Sequence, residues 1–83
     1  MDQQEKLLRK ARRDHKSLSF DELCQLAQYY GFTLQHTKGS HHIYKRKGYA
    51  PLLNFQEVRG EAKPYQVKQL LRALEELGLI DDE

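Results

Sequence analysis

GFTLQHTKGSHHIYKRKGYAPLLNF, residues 31–55, is the stretch that decides the fold. Phe32-Thr33-Leu34-Gln35-His36 alternates apolar and polar residues, the period of a half-buried strand. Thr37 to Ser40 is a turn that reverses the chain. A second strand is expected from about His41 to Arg46, and Lys47-Gly48 forms the next turn. A third runs from about Ala50 to Phe55. Pro51 has no N–H to offer a neighbour, so it marks a strand start or a sheet edge. Consecutive strands joined by short turns make an antiparallel meander.

Helices flank this stretch. Ser19-Phe20-Asp21-Glu22 reads as a capping box, and Leu18 and Leu23 are placed to close a hydrophobic staple around it. Phe20, Leu23, Ala27 and Tyr30 recur at helical spacing, and Gly31 supplies the left-handed residue that ends a helix. After a loop from Asn54 to Ala62, Pro64 takes the favoured first helical position. Val67, Leu70, Leu71, Leu74 and Leu77 form an apolar stripe that Gly78 terminates, and Leu79 and Ile80 are expected to fold back onto the core.

Residues 1–17 are mostly polar, with Leu7, Leu8 and Ala11 as the apolar minority. They read as a basic, loosely docked arm or a short helix that Asp2 and Glu5 could cap. Residues 81–83 form an acidic tail. The expectation is therefore one α+β domain over residues 18–80, ordered α–β–β–β–α. A three-stranded antiparallel sheet packs on two helices, and its other face stays open for function.

Eighty-three residues fit one domain with a modest core. Apolar content of 39% with 31% charged residues is that of a soluble globular chain. No apolar run approaches membrane-spanning length, and the first residues have no secretory core. The single Cys24 excludes an internal disulfide and is expected as a small core residue, so a cytoplasmic location is expected. Tyr29, Tyr30 and Tyr65 could stack on bases, but at helical spacing they read first as core or rim.

Net charge is only +2, yet the charges are segregated. No acidic residue lies between Glu22 and Glu57, a window holding Lys38, Lys45, Arg46 and Lys47 with His36, His41 and His42. Lys6, Arg9, Lys10, Arg12, Arg13 and Lys16 precede it. A basic middle and a basic arm suit an anionic partner, most commonly nucleic acid.

Adjacent strand residues face opposite sides, so His41 and His42 cannot share one environment. If Ile43 faces the helices, His42, Tyr44 and Arg46 share the open face: a base, a ring and a phosphate-binding cation. His41 stands at the strand's start beside Gly39-Ser40, where alternation is weakest. Either imidazole could take the proton of a ribose 2′-hydroxyl and let it attack the neighbouring phosphate. Lys38, Arg46 or Lys63 would steady the developing charge. Metal binding fits less well, because no carboxylate lies in the window and paired ligand spacings are absent. Histidines in hairpins are also often plain surface residues.

Gly31-Phe32 closing a helix, then Lys38-Gly39-Ser40-His41-His42-Ile43-Tyr44, then a helix opened by Lys63-Pro64, resemble the HicA family of toxins. The resemblance covers roughly residues 18–80. It implies a fold like the double-stranded-RNA-binding domain and a metal-independent mRNA interferase activity without cofactors. It also implies a HicB-like antitoxin as partner. The family's histidine falls on His41, directly after Gly39-Ser40, or on His42 where members place it one position later. Lys38, Ser40, Tyr44, Lys45, Arg46, Lys47 and Lys63 become the RNA-binding candidates. Where many members carry a Val-Pro-rich third strand ending in a further histidine, this chain has Pro51-Leu52-Leu53-Asn54-Phe55. A non-catalytic RNA-binding module on the same scaffold is the rival reading. A protein-interaction domain using the exposed sheet edge is a third.

Overall fold

The computed structural model describes residues 2–81; Met1, Asp82 and Glu83 lie outside, and with them most of the expected acidic tail. The order is α1 (Gln3–Arg13), α2 (Phe20–Tyr29), β1 (Thr33–Lys38), β2 (His41–Arg46), β3 (Tyr49–Gln56) and α3 (Pro64–Glu76). The strands form one antiparallel sheet in the order β1-β2-β3. The expected α+β meander is present, with one helix added at its start.

Local chemistry explains the boundaries. Ser19 Oγ accepts from the Glu22 amide at 3.1 Å, and the Glu22 carboxylate accepts from the Ser19 amide at 3.0 Å, so the capping box is complete. Gly31 follows α2 with φ +92°, a conformation costly for any residue with a Cβ. A Cβ there would also sit 3.1 Å from Arg46 Nε. Pro64 opens α3 in the first turn. β3 lies at a sheet edge, and Pro51 falls within the stretch where its register with β2 slips.

The N-terminal segment takes the second of its two expected forms, the short helix. It is a helix whose Leu7 and Ala11 are buried, not a loosely docked arm. Two residues four apart share a helix face, so a thin stripe suffices to anchor three turns. Asp2 Oδ1 accepts from the Glu5 amide at 2.8 Å and caps the helix. Lys10 Nζ bonds both Glu22 oxygens, at 3.0 and 3.1 Å, tying α1 to α2.

The strand phase corrects an expectation. Tyr44, not Ile43, enters the core: Tyr44 is 2% exposed and pairs with Leu53, and its ring lies 5.4 Å from Phe55. The larger aromatic fills the depth between sheet and helices, and Gln28 Nε2 of α2 donates to its hydroxyl at 3.4 Å. His42 pairs with buried Phe55 and so points to the helix side. Ile43 pairs with Asn54 and His36 on the open face, and His41 shares that face.

Candidate active site at the first hairpin

Gly39 and Ser40 form the two-residue turn between β1 and β2, with Gly39 at φ +59°. The turn sets Lys38 directly across from His41. β3 brings Gln56 opposite His41 on its other side, and Asn54 lies diagonally on the same face.

His41 is exposed, and its Nδ1 lies 3.1 Å from Asn54 Oδ1. With the amide oxygen accepting, Nδ1 carries the proton and Nε2 holds the lone pair. The contact thus orients the ring of this exposed residue. His42 Nδ1 lies 3.2 Å from the Ser40 carbonyl oxygen, which can only accept. Its ring is half-buried and packs 4.7 Å from Phe20. His42 lines a shallow groove of about 440 Å³ with Asp21, Cys24, Gln28 and Tyr44. No lysine or arginine among the described residues lines that groove. The two histidines therefore stand on opposite faces, one among cations and one against an aromatic.

A hydrogen-bonded lattice supports the hairpin end. Glu57 N donates to Ser40 O at 3.0 Å, and Gln56 Nε2 reaches Ser40 Oγ at 3.5 Å. Lys63 Nζ donates to Gln56 Oε1 at 2.6 Å, which brings that ammonium to the site's edge. Gln66, only 3% exposed, accepts from Gln56 N and donates to Asn54 O, both at 3.0 Å. Asn54 and Gln66 were not singled out by sequence reasoning. A polar residue on the apolar stripe of α3 was the available signal for Gln66; nothing local marked Asn54.

The remaining candidates divide. Lys38, Ser40, Lys45 and Lys47 are exposed. Arg46 is committed elsewhere: its Nε donates to Tyr30 O at 2.7 Å and its Nη1 to Lys47 O at 3.0 Å. It stands five residues along β2 from His41, about 16 Å away. It clamps the end of α2 to the sheet instead of facing the hairpin. Tyr44 is a correction among the RNA-binding candidates, because a ring buried among Leu53, Phe55 and α2 cannot stack on a base. Burial, reinforced by Cys24, pushes its hydroxyl up to about 12. Burial likewise raises the Cys24 thiol. Tyr65, in contrast, is 60% exposed.

These features define a small α+β protein that presents an oriented imidazole beside cations at a hairpin end. A model of the HicA toxin of bacterial toxin–antitoxin systems matches residues 20–79, well over half of the chain, and the protein belongs to the HicA toxin family. It is a toxin of the toxin–antitoxin type, in a family whose members are generally ribonucleases. No curated protein and no solved structure matches the chain. Among the described residues, no helix is long and apolar enough to cross a membrane.

Proposed function

We propose that the protein is an endoribonuclease toxin that cleaves messenger RNA through His41 and is neutralised by a HicB-like antitoxin. The observation that carries this reading is the His41 environment: an exposed ring with Nδ1 held by Asn54, Lys38 across the strand pair and Lys63 joined through Gln56. His41 Nε2 takes the proton from a ribose 2′-hydroxyl. The 2′ oxygen forms a bond to phosphorus, and the bond from phosphorus to the 5′ oxygen breaks. The leaving oxygen takes a proton from water. Lys38 and Lys63 stabilise charge on the phosphoryl oxygens. The nucleophile belongs to the substrate, so the chemistry calls for no metal. His42, packed on Phe20 and bonded to the turn, positions the hairpin.

The products test it. Purified protein incubated with RNA should yield fragments with 2′,3′-cyclic phosphate and 5′-hydroxyl ends. Tight binding with intact RNA would instead indicate the non-catalytic module. Fragments bearing 5′-phosphate ends would rule out attack by the 2′-hydroxyl.

A further inference from the structure

The matched family region begins at residue 20, after α1. What α1 adds beyond two core side chains is a dense positive surface that meets α3. Three depressions run together there. Arg9, Arg12 and Arg13 line one with Leu8. Arg12 and His15 line the next with Lys68 and Arg72. Lys68 and Arg72 also line a third with Tyr65 and Gln69. The third ends where the hairpin site begins. Lys63 Nζ lies 5.8 Å from the Tyr65 ring centre and bonds Gln56, the strand partner of His41.

We infer that this strip, from Lys63 along the solvent face of α3 to Arg9 of α1, is a binding track for the backbone of a single RNA strand leading away from His41. The proposal rests on RNA being the substrate and specifies how a longer strand is held. Charge supports it: no acidic residue occurs between Glu61 and Glu75, so α3 from Lys63 to Leu74 offers a phosphate no repulsion from its own chain. Glu75 lines the second depression and Glu5 the first, and Arg12 donates to the Asp81 carbonyl, but the cations Lys63, Lys68, Arg72, Arg9, Arg12 and Arg13 outnumber these acids along the strip. From Lys63 to Arg72, α3 covers about 14 Å. Lys68, Arg72 and Arg9 are exposed. An acidic protein would also meet the cations. The exposed Tyr65 ring between Lys63 and Lys68 favours RNA, because cations interleaved with an aromatic let phosphates and a base bind together.

The test uses the full chain carrying His41→Ala, so that RNA is bound without being cut. Binding of a labelled single-stranded oligonucleotide is measured over a range of salt. Adding Arg9→Gln, Lys68→Gln and Arg72→Gln should lower affinity at least tenfold. The salt slope should shrink by about two, since each phosphate contact to a single strand contributes roughly 0.7. Tyr65→Ala should cost roughly tenfold. The charge-preserving pair Lys68→Arg and Arg72→Lys should retain affinity, which separates charge from folding. If the parent binds RNA and the triple variant binds equally with the same slope, the track is wrong while the ribonuclease reading stands. If antitoxin binding is lost instead, the strip docks protein and the proposal is overturned. If the parent binds no RNA at any salt, the underlying reading fails first.

Discussion

Asn54 holds His41: the amide oxygen sits 3.1 Å from Nδ1, across the pair of β2 and β3. An exposed imidazole without such a partner would rotate and exchange tautomers. This one presents Nε2 in a defined direction.

Asn54→Ala should therefore lower kcat about tenfold, near the worth of one hydrogen bond, while leaving KM almost unchanged. Asn54 is exposed, so the melting temperature should stay within a few degrees of the parent. Single-turnover cleavage and thermal unfolding measure the two effects. A rise in KM at constant kcat would make Asn54 a contact to substrate instead of a positioning residue.

Gln66 links α3 to two backbone groups of β3. Gln66→Leu leaves the Gln56 N–H and the Asn54 carbonyl without their buried partner. A loss of about 2 kcal/mol is expected from urea unfolding. A neutral result would mean that water replaces both bonds at no cost.

Leu7 is 2% exposed although it lies outside the matched family region. Leu7→Ala should cost about 3 kcal/mol in the same assay, as for other buried leucines. A loss below about 0.5 kcal/mol would return α1 to the status of a loosely attached arm.

Glu22 titrates below its usual range, chiefly because its carboxylate accepts the Ser19 amide and also because Lys10 lies alongside. A carboxyl lowered on folding stabilises the native state above its unfolded value, near 4.5, and that contribution fades as pH falls through the lower folded value. Glu22→Gln should thus be less stable than the parent at neutral pH and should converge toward it in acid. A constant stability difference from neutral pH down to pH 3 would contradict the linkage.

Much of this architecture was legible in the chain. Ser19 and Glu22 announced a capping box three residues apart, Gly31 and Pro64 punctuated the helices, and alternation around Gly39 and Gly48 marked the meander. Each is a local signal set by backbone chemistry. Strand phase was not legible, because Ile43 and Tyr44 are both apolar enough to be inside. The choice went to the residue that meets Phe55, Leu53 and Gln28, and those partners come from other elements. The same limit hid the docking of α1, where Leu7 and Ala11 suffice once α2 is in place. The Gly-Ser-His segment directed attention to the hairpin. The assignment of Asn54 and Gln66 to its support required the register of β3 and the pitch of α3.

Cleavage of one RNA by the parent, His41→Ala and His42→Ala proteins, compared at equal folded concentration, decides which imidazole acts as the base. Loss of general-base catalysis at position 41 should slow the reaction at least about 100-fold. His42→Ala, which removes a packing and turn-holding group, should stay within about tenfold of the parent. Cutting by His41→Ala at the parent rate, with His42→Ala inactive, would move the chemistry to the helix-side groove and contradict the account.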